Sequence, residues 1–548
     1  MRYILAVFLL FLLVAPVSAQ SDSDKVVFKA MQDEIERNKE EIVLPNMQRP
    51  FFLSYALGHY RQFEIVGVLG GVVNSYVSNG NTTGGVQLML GDYNHTSDAM
   101  YVGQYAEASI PEEMDYLGVR RGFWLATDVM YKFALQSASA KDAYLKANPQ
   151  STEEAQLADL EKVEPIVKIV EPKEPYTIDR SKLEEIVKEL SVIFKNYKEI
   201  YNTRVVVSGI DMELYRQTTD GVSVKQPSRF VNLFAQGTVT TPEGEKITDT
   251  YSVLVKTPED LPSIEELKKN VTKFAENLVK LKDAPKVEEY YSGPVLFEDG
   301  AASSIFTRNL LNKQGLFAYR KPNSDRVQQV KTLDDRMGKK IIDSRLTVKN
   351  YSTLDKYNGV SLIGAYEIDA EGVVPEKEMT LVEHGILRGM LNGCVPTSKA
   401  PHSTGSSRFV YSGIAYVTAP GTIHIQADKG IKPEKMKKAL IKAAKEEGLD
   451  YAYIVRRISG IGSLLYRVNV KDGSETLTRT ADISAITLPK IKRVLEISNK
   501  ENVSNYILNN DVLSSLIYPS AILIEDVEIG KLPVKAEKAP VLTYPLQR

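Results

Sequence analysis

Imidazole and thiol chemistry is scarce in this sequence. There are five histidines (His59, His95, His384, His402 and His424) and one cysteine, Cys394. No two histidines fall at the i, i+4 spacing that places a pair of metal ligands on one helix face. H-E-x-x-H is absent, and the inverted H-x-x-E-H fails because Thr380 stands where the first histidine of a motif ending in Glu383-His384 would be. No phosphate-cradling loop and no G-x-S-x-G nucleophile turn occurs, and Gly460-Ile461-Gly462 lacks the third glycine of a dinucleotide fingerprint. Two sets of side chains remain. Cys394, His402 and His424 are a metal or nucleophile candidate by residue type, without the spacing of a metal site. The bland reading makes them a buried cysteine and two loop or strand histidines. Asp369, Glu371 and Glu383 are a candidate for paired-carboxylate acid–base work, against the commoner reading as solvated turn carboxylates.

Composition narrows the classes further. A single cysteine rules out a disulfide scaffold and a four-cysteine zinc or iron–sulfur site. The 68 Lys+Arg against 70 Asp+Glu give a formal net charge of −2, so bulk electrostatics supplies no reason to hold nucleic acid. A length of 548 residues suffices for large cores in several domains. Arg2, the apolar run Ile4–Val14 and Val17-Ser18-Ala19 read as a signal peptide over residues 1–19. The expectation is an exported protein, in a bacterial periplasm or outside the cell, with no membrane anchor after cleavage.

The elements that must position these residues are read from periodicity and punctuation. Helices are expected at 24–41, 111–147 (with Trp124, Tyr131 and Phe133 in the core), 181–198, 261–282 and 433–447. Residues 51–102 alternate as β structure, and 148–178, rich in Pro, Glu, Lys and Val, reads as a surface connector. Further strands are expected near 203–216, 228–240 and 248–256. After Pro285 the pattern becomes strand, turn and helix through Gln314. Strands then follow near 341–349, 363–369, 377–383, 386–391, 451–456, 463–470 and 475–487. Strand runs broken by helices, without regular βαβ alternation, predict an α+β fold of two domains, 20–284 and 285–548. Each would be a mainly antiparallel or mixed twisted sheet packed by helices.

The second domain resembles the TldD/PmbA family of metallopeptidase-related proteins. Short matches in the family's order carry the resemblance: Gly293-Pro294-Val295-Leu296, Asp369-Ala370-Glu371-Gly372-Val373, Leu381-Val382-Glu383-His384-Gly385-Ile386-Leu387-Arg388-Gly389, Ser403–Arg408, Ala419-Pro420-Gly421 and Pro519–Val527. The resemblance implies a zinc peptidase domain in which an H-E-x-x-x-H helix follows the GPVLL strand. Counted from Gly293, its two histidines and glutamate fall on Thr307, Asn312 and Arg308. None can take the role. A hydroxyl is a poor zinc ligand, a guanidinium is no base, and an amide does not replace imidazole. No histidine lies between His95 and His384, and the family's late cysteine ligand has no counterpart after Cys394.

The resemblance therefore implies a degenerate member without zinc, although active relatives use zinc. It would be a non-catalytic subunit or peptide-binding partner of a homologous TldD-like subunit, in a homo- or heterodimer. An extended peptide would be held by strand addition, with Asp369, Glu371, Thr380 and Glu383 as candidate peptide-binding residues. The strand after Glu371 and the hairpin 377–391 are expected beside that groove. The alternatives are an active peptidase with a relocated site at Cys394, His402 and nearby carboxylates, and a stand-alone exported binding or scaffold protein.

Overall fold

The computed structural model describes residues 22–99, 105–458, 463–479, 481–508, 511–533 and 544–547. Residues 1–19, where a signal peptide is expected, and Gly460–Gly462 lie outside the described residues.

Three long strands, Phe52–Val68, Tyr201–Thr218 and Val222–Thr240, run antiparallel through the centre of an eight-stranded sheet. Strand alternation gives this sheet two uses. Tyr55 and Leu57 face the helices Asp22–Glu41 and Tyr116–Ala147, where the Tyr55 ring stacks on Phe123 with centroids 4.4 Å apart. Farther along the same strand, Phe63 and Ile65 pack under the helices Arg180–Ser191 and Ile264–Asp283. Ala56, Met212 and Leu214 point the other way, onto Ala370, Phe409 and Ile414 of the second half of the chain.

The second half is built from a seven-stranded and a six-stranded sheet, both of mixed direction. In the strand Tyr291–Glu298, Leu296 meets Leu440 of the helix Pro433–Glu446. Its neighbours Val295 and Phe297 face the opposite core, shared with the helix Gly300–Leu310 and with Val348, Val382 and Ile423 of the six-stranded sheet. The chain is α+β, and among the described residues no helix is long and apolar enough to cross a membrane.

Several expectations need correction. Trp124 is half exposed, because the buried stripe of its helix runs through Val119, Phe123, Ala126 and Met130. That helix starts at Tyr116 rather than Pro111. Asp115 sets the start by accepting from the backbone N–H groups of Leu117 and Gly118. Likewise Ser263 caps the next long helix at Ile264, leaving Pro262 outside it.

The 148–178 connector is anchored to both halves. Ile166–Ile169 pairs in parallel with Val222–Lys225, and the buried Arg320 guanidinium donates to the carbonyls of Glu154 and Leu157 at 3.1 Å. Residues 363–369 form no strand. The amides of Ile363 and Gly364 donate to the side chains of Asn505 and Ser515 instead of to a ladder. No strand follows Glu371 either: Gly372 has φ +93°, and Pro375 removes a donor three residues on. The second arm of the 377–391 hairpin shortens to Ile386–Leu387, and 475–487 divides into Glu475–Thr478 and Ala481–Ile483.

Candidate functional site

The helix Gly300–Leu310 is anchored from one side. Ala301, Ala302, Ile305, Phe306 and Leu310 are buried at helical spacing. Sequestering Ile305 and Phe306 stabilises the helix by about 1.5–3 kcal/mol each. The turn that launches it is tight. Asp299 has φ +47°, its amide donates to the Ser520 carbonyl, and Asn502 donates to its carboxylate at 3.0 Å.

Of the three positions singled out by sequence, Thr307 and Arg308 lie in the last turn of this helix and Asn312 just beyond its end, beside a cleft of about 800 Å³. Arg308 is exposed and, with Asn312, lines the cleft. Thr307 turns its hydroxyl back to the carbonyls of Ser303 and Ser304, at 3.1 and 3.2 Å. Asn312 ends the helix by donating its amide to the Arg308 carbonyl and accepting from the Gln314 N–H at 2.6 Å. A hydroxyl turned inward, a fixed cation and a committed amide do not fit a zinc ion. Among the described residues, no three His, Cys, Asp or Glu side chains are grouped as metal ligands would be.

The opposite wall is the stretch Ile483–Pro489, which begins in the outermost strand of the seven-stranded sheet. Buried Asn309 ties helix to wall, donating one amide nitrogen to the carbonyls of Ile305 and Ile486, both at 2.8 Å. Lys331, Leu333, Asp335, Arg336 and Lys339 close a third side, and Lys492 stands beyond Pro489.

The carboxylate and thiol candidates meet elsewhere, in a buried cluster. Asp369 accepts from the amides of Glu371 (2.9 Å), Val373 (2.8 Å) and Ser407 (3.1 Å). Glu371 accepts from the Cys394 amide at 2.8 Å and the Ser407 hydroxyl at 2.6 Å. Burial, reinforced by the Glu371 charge, pushes the Asp369 carboxyl up to about 7. Burial first, then the charges of Glu371 and Asp369, push the Cys394 thiol well above its ordinary value. That is the reverse of what a nucleophilic thiolate needs.

Two glycines make the cluster possible. A Cβ on Gly393 would lie 2.4 Å from the Ser407 hydroxyl, and one on Gly372 would lie 2.5 Å from Val222 of the first sheet. The cluster is a brace that docks the 369–373 turn onto the first half of the chain. It borders a second cleft, of about 670 Å³, whose lining includes Glu371, Cys394, Tyr416 and Arg320.

The remaining candidates are dispersed. His402 is exposed and bonded to Glu161 at 2.9 Å, and His424 is bonded to Glu501 at 2.7 Å. Neither histidine is bonded to the Cys394 thiol. His424 holds the Glu501 carboxyl below its usual range. Thr380 is half-buried, and Glu383 is exposed with Arg388 donating to it at 3.1 Å; neither lines either cleft. The cationic wall of the larger cleft escapes sequence reading, because Arg308, Lys331, Arg336, Lys339 and Lys492 share no window of sequence.

Residues 290–530 match the PmbA/TldA metallopeptidase C-terminal domain. The fold is shared with solved structures of low sequence identity. TldE from Thermococcus kodakarensis is 14% identical with a TM-score of 0.58, over 91% of this chain and 100% of that one. A proposed modulator of a DNA gyrase from Thermotoga maritima is 13% identical with a TM-score of 0.56, over 92% and 99%. Another proposed modulator of DNA gyrase, from Bacteroides thetaiotaomicron, is 13% identical with a TM-score of 0.56, over 94% and 100%. No curated protein matches the chain by sequence.

Proposed function

We propose, from the match of residues 290–530 to the PmbA/TldA metallopeptidase C-terminal domain, that the chain is an exported, non-catalytic member of the TldD/PmbA family. In this reading it holds an extended peptide and works beside a homologous subunit that carries the H-E-x-x-x-H motif. One observation carries the reading. The Gly300–Leu310 helix borders an open cleft of about 800 Å³ lined by Arg308 and Asn312, and the resemblance counted from Gly293 would put the catalytic side chains of active relatives at 307, 308 and 312. The edge of the seven-stranded sheet at Ala481–Ile483 supports strand addition, since an outermost strand has unpaired backbone groups on one side. Export rests on the charged, apolar and small-residue order of residues 1–19.

The test is to mix the purified chain with a homologue that carries the motif, then follow the mass of the complex and the hydrolysis of an unfolded peptide. Formation of a defined complex whose hydrolysis depends on the homologue's zinc supports the reading. A chain that forms no complex and binds no peptide overturns it.

A further inference from the structure

The charge around the larger cleft is one-sided. Five cationic side chains line it (Arg308, Lys331, Arg336, Lys339 and Lys492), with Asp335 as the single carboxylate. Among the described residues none of the five lies within ion-pair distance of a carboxylate; four are exposed, Lys492 is half-buried, and Lys339 donates to the backbone carbonyl of Asp335 at 2.9 Å. This excess occurs in a protein of net charge −2. Scattered lysines on a convex surface would be solvated individually. Here the cations ring a concavity whose floor includes Ile305 and Leu333, and low-dielectric walls focus a field that convex surfaces dissipate.

We propose that this cleft selects an acidic peptide segment, with Asp or Glu side chains set among these cations. The inference rests on the peptide-holding reading above and adds its chemical class. Two features favour peptide over nucleic acid. The open edge at Ile483 offers backbone pairing, which an extended peptide uses and a nucleotide does not. Among the described residues, no aromatic side chain lines the cleft, so unpaired bases would find no stacking platform. In a strand added at that edge, alternate side chains point to one face, which suits an acidic residue at every second position.

The experiment uses the full mature chain and three labelled peptides of equal length: one alternating Glu with Val, one alternating Gln with Val, and one alternating Lys with Val. Binding is followed by fluorescence anisotropy at low and high salt. The expected result is that the Glu peptide binds about tenfold or more tightly than the Gln peptide, with the advantage screened by salt. It should also be lost in the variant R308Q/K331Q/R336Q/K492Q and kept in the control K435Q/K438Q, whose lysines lie on the exposed face of the Pro433–Glu446 helix. Equal binding of the Glu and Gln peptides would overturn the acidic preference and leave the peptide-holding reading in place. Binding of none of the three would overturn both. Displacement of the Glu peptide by single-stranded DNA or polyphosphate at lower concentration would overturn the choice of peptide as occupant.

Discussion

The Asp369–Glu371–Cys394 cluster and the Thr307–Arg308–Asn312 cleft exchange roles between sequence and structure. The first has the residue types of catalysis, two carboxylates and a thiol. Its carboxylates, however, accept backbone and hydroxyl hydrogen bonds, and its thiol is held protonated by burial and by their charges. The second has none of the residue types of catalysis, yet Arg308 and Asn312 line an open cleft of about 800 Å³. Residue type says what chemistry a group could do, whereas accessibility and hydrogen-bond commitment say whether it is free to do it. In this chain the buried cluster holds two halves together, and the open cleft is where a ligand can enter.

The sharpest way to break this contrast is to remove the carboxylate of the brace. Asp369→Ala leaves three backbone N–H groups without their acceptor in a buried site. It should cost about 3–5 kcal/mol in urea unfolding. A loss below about 1 kcal/mol would show that the turn is not held as described. Next in size is Asn309→Ala, which frees the Ile486 carbonyl from the helix. A cost of about 1–2 kcal/mol is expected, with faster amide exchange along 484–488 as the cleft wall loosens.

The pH dependence sharpens the same comparison. The Asp369 carboxyl sits at about 7 in the folded chain, above its unfolded value of about 3.9. Between those values the folded state binds the extra proton, so this group's contribution to stability falls as pH rises from about 4 to about 7. Glu371→Gln removes the facing charge while keeping an acceptor for Cys394 and Ser407. The urea midpoint should then vary less across that window than in the unmodified chain. The smallest effect belongs to the cleft. Arg308→Ala should leave stability within about 0.5 kcal/mol, since the side chain is exposed and unpaired among the described residues.

What was legible in the sequence follows the range of the forces involved. The strand–turn–helix after Gly293 could be read because Val295 and Phe297 alternate as in a strand, and Ala301, Ala302, Ile305 and Phe306 recur at helical spacing. The α+β class followed from the order of such elements. Trp124 was misplaced because a helix that is apolar on more than one side leaves its buried face ambiguous until a sheet packs on it. Residues 363–369 read as a strand from their apolar content, but their backbone partners, Asn505 and Ser515, lie far along the chain. At the site, the positions 307, 308 and 312 were found by resemblance to a family pattern. The brace was found only as a turn motif, because the Cys394 and Ser407 contacts are tertiary. The cationic ring was invisible for the same reason, with five residues from three distant segments.

The most direct measurement is the zinc content and peptide hydrolysis of the purified chain alone, with and without a chelator. The expected result is no stoichiometric zinc, no chelator-sensitive hydrolysis, and peptide binding that the chelator leaves unchanged. One zinc per chain, with hydrolysis abolished by chelation, would contradict it.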